Sequence, residues 1–467
     1  MIKKTINFKM PTTCAMLFML MMVAAVMTWI IPAGEYDTEQ VDGITRVIAG
    51  TYHTVESNPQ GVWALMEAVP AGFYKSAKML FSIMFIGGAV SILESSGSFN
   101  GVLSKLAKKN LNTPLIVFLV MLFMTIGGAA GVFSNATLAL VPIGVTLALS
   151  LGYDRFTGFL IIYMGAFSGF NVGWAVNATI GVAQTIAELP MFSGMGVRVI
   201  VHIVNFLLNY AITLMYMSTV KKNPKKSLNY KEGMEISDYM GLKEEGKEEA
   251  VMSKPHLFSL IGLFVAIAAL MIGCVTAGWS HDQIAAIFLT LAIYVGLING
   301  MGINGTTKAF LNGCSKMVGA AFITGFANGI GVLLEDGRIL NTIVYWLSLP
   351  LNHMGPVIGA NFMFLISQFI NLIIPSGSGQ AAAVMPIYVP LADLAGITRQ
   401  VAVQAFQFGD GLTNCLIPTA GTLMASLAIV KVEWPRYARW FLPFMILQII
   451  LAMICLTILQ SIGWTGI

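Results

Sequence analysis

Long apolar segments alternate with short polar ones along almost the whole chain. Most of these segments are long enough, or nearly long enough, to cross a bilayer as a helix, which takes about 20 apolar residues. No stretch alternates strictly between apolar and polar positions, as the strands of a membrane barrel do. The pattern therefore predicts an all-α integral membrane protein, in which every regular element is a helix. The predicted segments are 12–31, 77–93, 114–133, 156–170, 198–218, 257–277, 283–300, 317–334, 355–374, 400–413 and 440–462.

Four further apolar stretches are interrupted by Gly, Pro, Ser, Thr and Asn, and several are too short to cross simply. A polar stretch rich in Lys and Glu, from Lys221 to Pro255, reads as a solvated cytoplasmic linker near the middle of the chain. The interrupted stretches are 134–151, 171–187, 376–395 and 414–430. The predicted organisation is a first membrane half (1–220), the linker (221–256) and a second membrane half (257–467).

Composition strengthens the assignment to a membrane. Hydrophobic residues make up 57% of the 467 positions and charged residues only 10%, against roughly a quarter in soluble domains. So few charges could not cover the surface of a soluble fold. The chain begins with Lys3, Lys4 and Lys9 ahead of the first apolar segment. We expect that segment to be a retained helix, because it is longer than the core of a secretory signal.

The two membrane halves resemble each other. Residues 134–155 (SNATLALVPIGVTLALSLGYDR) align with 378–399 (SGQAAAVMPIYVPLADLAGITR) without a gap. Matches at Gly, Pro, Arg and Asn carry this argument, because apolar residues match by chance between any two membrane segments. The sequence therefore predicts an internal repeat, a common architecture of secondary transporters. The matched pairs are Pro142 with Pro386, Gly152 with Gly396, Arg155 with Arg399, Gly165 with Gly409, Asn171 with Asn414, and Thr179 with Thr422.

The distribution of Lys and Arg predicts that the repeats are inverted. Each half is basic in a loop where the other half is not. Lys105, Lys108 and Lys109 lie in one first-half loop, and its second-half equivalent, 341–355, has neither Lys nor Arg. The bias reverses at 431–440, which is basic while its first-half counterpart has one arginine. The positive-inside rule then places the N-terminus and the linker in the cytoplasm and the C-terminus outside. The predicted location is the inner membrane of a bacterial cell.

Interrupted helices are tolerated in a bilayer only where protein buries them or where they line a watery cavity. The first pair of interruptions is 127–137 and 373–383. Such tips expose helix N-terminal N–H groups, which favour anions, and free carbonyls, which suit Na⁺ or an ammonium group. Close helix packing by Gly and Ser is the alternative interpretation. The candidate ligands at these tips are Ser134, Asn135, Thr137, Ser376, Ser378 and Gln380.

The second pair of interruptions is 168–181 and 408–422. Asp410 is the most informative residue here, because an acidic side chain at the middle of a membrane helix costs about 2.5–3.5 kcal/mol on insertion scales. It is predicted to bind a coupling cation, carry a proton or pair with a cationic substrate. A polar helix end near the interface is the alternative. The other candidates are Asn171, Asn177, Thr413 and Asn414, with a Na⁺ site near Asn135 and Asn414.

Other chemistry is not indicated. The five cysteines are scattered singly, and no spacing predicts a metal centre, a nucleotide loop or a nucleophile–base pair. The sequence therefore predicts neither an enzyme nor a nucleic-acid-binding protein, and no cofactor beyond a coupling ion, Na⁺ or H⁺. Asp154, Arg155 and Arg399 are expected to form structural salt bridges. No Arg or Lys is expected deep in the membrane near the interrupted helices.

Several stretches resemble the YfcC-type branch of the DcuC-like carriers (the C4-dicarboxylate anaerobic carrier family), within the ion transporter superfamily. They are FKMPTT, IIPAGEYD, VESNPQG, LEDGRILNTI, the stretch around IPSGSGQA, and AFQFGDGLTN. The resemblance covers nearly the whole chain. It implies a homodimer in which each protomer has a scaffold domain and a moving, elevator-type transport domain with two re-entrant hairpins. The superfamily's dicarboxylate/sodium branch carries Ser-Asn-Thr signatures at its hairpin tips. Residues 134–137, Ser-Asn-Ala-Thr, are similar to that signature, whereas the second tip reads Ser-Gly-Ser-Gly-Gln.

The predicted function is secondary active transport of a small charged metabolite across the bilayer. The resemblance implies either a basic amino acid, such as arginine or ornithine, or a dicarboxylate. Asp410 favours the basic amino acid, carried by antiport or by ion-coupled uptake. A C4-dicarboxylate or another small carboxylate is the alternative, and a channel is a further one.

Overall fold

The structure, a computed structural model, describes residues 13–41, 44–48, 50–98, 112–241, 253–277, 279 and 281–466. It is mainly helical, as predicted. Among these residues, five helices are long and apolar enough to cross a membrane, and a bent sixth qualifies if its two parts are one span. The loop lysines at 105, 108 and 109 lie outside the described residues. The helices of the first half are α1 (Thr13–Ile30), α2 (Val62–Ser95), α3 (Thr113–Ala129), α4 (Phe133–Ser150), α5 (Arg155–Phe170), α6 (177–186) and α7 (Met195–Lys222).

The second half continues the numbering. Its helices are α8 (Lys254–Ala277), α9 (His281–Ile298), α10 (Gly302–Asp336), α11 (Leu340–Ser348), α12 (Pro356–Ile373), α13 (Gly377–Ala395), α14 (Arg399–Thr413), α15 (Gly421–Ile429) and α16 (Trp434–Ser461). Four gaps between helices coincide with the predicted interruptions, because Gly, Pro and Asn there do not continue the helical hydrogen bonds. These gaps are 130–132, 171–176, 374–376 and 414–420.

The prediction that every regular element is a helix is wrong between α1 and α2. Two small antiparallel sheets form there: β1 (Gly34–Glu35) pairs with β4 (His53–Thr54), and β2 (Thr38–Val41) pairs with β3 (Ile44–Val47). This connection lacks an apolar run of spanning length, so its backbone groups are paired between strands instead of along a helix. Such short strands leave no trace in a hydropathy pattern.

Helices α2 and α10 form one long antiparallel pair that begins earlier than predicted at both N-termini. Polar residues in their first turns lower the hydropathy without ending the helix. The two backbones touch at glycines: a Cβ on Gly72 would lie 2.5 Å from the carbonyl oxygen of Gly325, and a Cβ on Gly313 would lie 2.2 Å from that of Gly87. Helix α1 packs on the same pair. Close approach without side chains is the usual way to join helices in lipid.

Two hydrophobic cores are separate in the described structure. The larger core includes side chains of α3–α7, α12–α14 and α16. A smaller core belongs to α1, α2, α10 and α11, with Leu17, Leu65 and Leu333 at its centre. Helix α2 therefore contributes to both cores, with its start in the smaller core and its second half in the larger one, whereas the buried apolar side chains of α10 that belong to a core lie in the smaller one.

Two short parts of the predicted solvated linker 221–256 are buried, 227–229 and 239–240, whereas 231–233 and 235–238 between them are exposed. Ser227, Tyr239 and Met240 are buried, and Met240 forms an isolated β-bridge with Asp154. The Asp154 carboxylate accepts a hydrogen bond from the Ser227 hydroxyl and so holds this segment against the membrane helices. Residues 242–252 lie outside the described residues.

Candidate functional site

The second hairpin turns at a glycine that no larger residue could replace without displacing its neighbours. Helix α13 starts at Gly377, and the hydroxyl of Ser376 caps it by accepting a hydrogen bond from the Gly379 amide at 3.4 Å. A Cβ on Gly377 would lie 2.3 Å from Cγ2 of Thr179 and 3.1 Å from Oδ2 of Asp410. The tip of this hairpin therefore lies against the interruption of the first half and against α14 of the second.

Asp410 is fully buried on α14 and only partly satisfied. Its Oδ1 lies 3.4 Å from Nδ2 of Asn414, and its Oδ2 has no hydrogen-bond partner in the protein. Asn371 donates to the Asp410 carbonyl at 2.9 Å and to Oδ1 of Asn414 at 3.1 Å, which fixes the end of α14. Within the described ranges, no Lys or Arg is ion-paired with this carboxylate. A buried acceptor without a donor is unfavourable unless something else binds it.

A cavity of about 550 Å³ opens onto Asp410. Two further buried oxygens on its wall, Oγ1 of Thr179 and Oγ1 of Thr419, also have no hydrogen-bond partner. The cavity falls in the size range of small-molecule sites. Three side chains that line one cavity thus each carry an unsatisfied oxygen atom, and together they form a candidate site for a cation or a hydrogen-bond donor.

The opposite wall of the cavity carries two lysines from the middle of α2. Nζ of Lys75 lies 2.6 Å from Oε1 of Glu335, and Nζ of Lys78 lies 2.8 Å from Oδ2 of Asp282. Both lysines are at least partly exposed, with 43% and 72% of their side-chain surfaces accessible, so neither lies deep in the protein. The predicted segment began at residue 77, so Lys75 was outside it, although two lysines three positions apart ahead of a long apolar run on one helix are themselves an informative pattern.

The first hairpin is arranged differently from the second. Its tip closes against its own half: Ala175 donates from its amide to the Ala129 carbonyl at 3.1 Å, and a Cβ on Gly131 would contact Val176. Leu138 of α4 packs with Ala425 of α15 in a small apolar cluster. In the part of the first tip that the structure describes, no side chain lines the cavity.

Comparison with known proteins identifies the family. The model of the C4-dicarboxylate anaerobic carrier family, DcuC, matches residues 10–461. The chain belongs to this family. This confirms the resemblance seen in the sequence, and with the apolar helices it makes the chain a multi-pass membrane transporter.

Individual relatives of this carrier cover nearly its whole length. "Putative basic amino acid antiporter YfcC" of Escherichia coli (strain K12) is 30% identical, covering 94% of each chain. A protein of Haemophilus influenzae (strain ATCC 51907 / DSM 11121 / KW20 / Rd), whose name assigns no function, is 27% identical over 98% of each chain. The name of the Escherichia coli relative describes a transporter.

Two solved structures of transporters are similar to the carrier at a low level. The Alcanivorax borkumensis YdaH transporter has a TM-score of 0.45 and 15% identity, covering 98% of this chain and 100% of that one. Neisseria gonorrhoeae MtrF, described as one of a class of antimetabolite efflux pumps, has a TM-score of 0.45 and 18% identity, covering 98% and 96%.

In this carrier, four predicted ligands line the cavity: Ser376, Ser378, Asp410 and Asn414. Others serve internal contacts. Nε2 of Gln380 donates to the Ser367 carbonyl at 2.7 Å, and the Thr137 hydroxyl donates to the Phe133 carbonyl of its own helix. The side chains of Ser134 and Asn135 lie outside the described residues.

The remaining predicted ligands, Asn171, Asn177 and Thr413, do not line the cavity. Nδ2 of Asn171 lies 3.7 Å from Sγ of Cys415, which joins the two second interruptions. Asn177 begins the π-helical turn of α6, and Thr413 is buried at the end of α14 with its hydroxyl unpartnered. The binding role of every predicted residue stays a prediction. Arg399 forms the expected salt bridges, with Asp393 at 2.7 Å and Glu188 at 2.9 Å.

Proposed function

We propose that the carrier is a secondary active transporter of a small charged metabolite, with a basic amino acid such as arginine or ornithine as the first candidate. The observation that carries this proposal is the position of Asp410. Asp410 lines a cavity at the point where a hairpin tip meets two interrupted helices, and one of its carboxylate oxygens has no hydrogen-bond partner. A guanidinium or ammonium group would satisfy that oxygen through a charge-assisted hydrogen bond.

The proposed architecture consists of two inverted halves. Its first support is the recurring order of elements, since a helical hairpin and an interrupted helix precede one long helix in each half. Its second support is the packing. Helix α3 packs on α5 as α12 packs on α14, and α4 contacts α15 as α13 contacts α6. Each hairpin thus touches the short helix of the other half.

The segment after α7 binds the second half. The Asn229 side chain accepts a hydrogen bond from the Phe156 amide at 2.9 Å and donates to the Val430 carbonyl at 2.6 Å. The guanidinium of Arg436 donates to the carbonyls of Ser227 and Tyr230. An arginine of the second half therefore holds the segment that ends the first.

The segment after α16 makes the reciprocal contacts. The Thr398 hydroxyl, at the start of α14, donates to the Trp464 carbonyl at 2.7 Å, and the Gly194 amide donates to Gly466 at 2.8 Å. The guanidinium of Arg198 lies 5.2 Å from the Trp464 ring centroid. Each half therefore closes on the other through an arginine, which supports descent from one repeated unit.

The proposed mechanism is alternating access of elevator type. The cavity lies between α2 and α10 on one side and the hairpin-bearing helices on the other. The smaller hydrophobic core, formed by α1, α10, α11 and the start of α2, supports the assignment of these elements to a static frame, because distinct cores allow two units to move as bodies. We further propose that the frame mediates a homodimer in the bacterial inner membrane, with the N-terminus in the cytoplasm, and that Na⁺ or H⁺ is the coupling ion if transport is not exchange.

A C4-dicarboxylate is the second candidate substrate. Lys75 and Lys78 face the cavity, and the N-terminus of α13 offers amide donors. Both lysines already have acidic partners, however, whereas Oδ2 of Asp410 has none. Because the carboxylate lacks a partner and the lysines do not, the cavity favours a substrate with a positive group.

Counterflow in proteoliposomes tests the proposal. Vesicles containing the purified carrier are loaded with unlabelled arginine, ornithine or succinate, and uptake of the radiolabelled compound is followed against protein-free vesicles. We expect saturable exchange of arginine with ornithine. Exchange of succinate alone would establish the second candidate. Currents that do not saturate would indicate a channel, and no exchange of any amino acid or dicarboxylate would contradict the proposed function.

A further inference from the structure

Glu335 lies at the junction of two cavities. Its side chain lines the large cavity that contains Asp410 and also a second one of about 450 Å³ on the other side. The second cavity is formed by the connection between α1 and α2 and by the turn that follows α10. Its other lining residues are Glu35, Asn58, Pro59, Gln60, Ala64, Asp336 and Arg338. A solute moving between the two cavities passes Glu335.

Glu335 has one cationic partner at this junction. Nζ of Lys75 donates to both carboxylate oxygens, at 2.6 and 2.7 Å. The two side chains are 43% and 50% exposed, so the ion pair stands in the passage and is not buried beneath it. Ion pairs this exposed contribute little to folding, because water screens them and holding both long side chains costs entropy. Such a pair can exchange partners readily.

The charged residues that line the two cavities differ in how they are paired. Arg338, which lines the second cavity, is 3.5 Å from Glu35, so that cation is engaged. Glu335, which lines both cavities, is paired with Lys75, and Asp410, which lines the large cavity, is without a cationic partner among the described residues. A positive group moving from the second cavity into the large one meets an acidic residue with an exchangeable partner and then one with no partner.

We infer that Glu335 is a specificity-determining residue at the entrance of the transport site, and that Lys75 is its resting partner. An arriving cationic group takes the place of Lys75 on Glu335 before it reaches Asp410. This inference rests on the proposed function, because it assumes that the large cavity is the transport site. It predicts opposite effects of Glu335 on cationic and anionic solutes, since loss of its charge leaves Lys75 free to attract an anion.

The test is counterflow of radiolabelled arginine and, separately, of radiolabelled succinate through the E335Q and E335D variants. For E335Q we expect the KM for arginine to rise about tenfold, the effect of one charge-assisted hydrogen bond, with the maximal exchange rate within about twofold of wild type. Any succinate exchange should become faster. E335D, which keeps the charge, should recover most of the affinity for arginine.

The matched control is E433Q. Glu433 forms an exposed ion pair with Lys231 at 3.1 Å, and neither residue lines the cavity, so its kinetics should equal those of wild type. Thermal unfolding of each variant checks the fold. If the wild-type carrier exchanges arginine, the proposed function stands. An unchanged KM for arginine in E335Q, or an equal rise of that KM in E433Q, would then overturn the inference alone. Failure of the wild-type carrier to exchange arginine would overturn both.

Discussion

Two buried aspartates, one in each half, have opposite surroundings. Asp154 caps α5, where Oδ1 accepts from the amide and the hydroxyl of Thr157 at 2.9 and 2.6 Å. Its Oδ2 accepts from the hydroxyls of Tyr216 and Ser227. Asp410 is just as buried, yet it has one long contact and an unpartnered oxygen. Both carboxylates are 0% exposed.

This comparison teaches that burial of an acidic residue does not identify a site. Four donors complete the hydrogen bonding of Asp154, so this residue can bind nothing more and serves to fasten the chain. Asp410 retains the capacity to accept further hydrogen bonds, because its Oδ2 has no donor within the protein. Unmet hydrogen-bonding capacity facing a cavity is the property that separates the functional carboxylate from the structural one.

The largest effect is expected from D410N. The substitution removes the charge that a cationic substrate or coupling ion needs, so exchange of arginine in proteoliposomes should fall on the order of 100-fold or more, as for loss of one partner of a buried charge pair. The melting temperature in detergent should stay the same or rise, because the protein loses an uncompensated buried charge. Exchange at the wild-type rate would remove Asp410 from the mechanism.

A smaller effect, and on stability instead of transport, is expected from D154N. The amide cannot accept four hydrogen bonds and turns an N–H group toward hydroxyl or amide donors. We expect a loss of roughly 2–3 kcal/mol of stability, measured as a lower melting temperature in detergent. Exchange per folded molecule should be close to wild type. A stable D154N variant with lost exchange would invalidate the contrast between the two carboxylates.

The smallest effects are expected from single hydroxyls near each aspartate. T179V and T419V remove oxygens that bond nothing within the protein, so stability should be unchanged while the KM for arginine rises up to about tenfold, or ~1.4 kcal/mol. T157V is the matched control, because its hydroxyl donates to Asp154 at 2.6 Å. It should lower the melting temperature and leave the KM unchanged. A lower melting temperature with an unchanged KM for T179V and T419V, or a raised KM with an unchanged melting temperature for T157V, would contradict this prediction.

Much of the fold could be predicted from the sequence. Apolar length located the membrane helices to within a few residues at most boundaries, and Gly, Pro and Asn located the four interruptions. These signals are local, since they depend on the transfer of apolar residues into lipid and on backbone hydrogen bonding within a segment. Asp410 could be selected for the same reason, because an acidic residue in an apolar helix is unfavourable in any fold.

The rest depends on contacts between distant segments. The return of residues 227–241 follows from the Asp154 carboxylate, which lies far away in sequence, and a run of Lys and Glu gives no hint of it. Lys75 enters the site only because α2 passes beside the second hairpin. Whether Asp410 is satisfied or Gln380 faces inward is decided by side-chain geometry, which a single sequence does not contain.

The central claim, that transported solute binds in the cavity beside Asp410, is tested most directly by protection of the second hairpin tip. A cysteine replaces exposed Ser378, and its alkylation by a maleimide is measured with and without arginine, after subtraction of labelling in the parent protein. Exposed Ser237, on the returning segment, gives the control S237C. The account predicts that arginine slows labelling of S378C several-fold, that it leaves S237C unaffected, and that D410N abolishes the protection. Labelling of S378C at one rate with and without arginine, in a carrier that exchanges arginine, would contradict it.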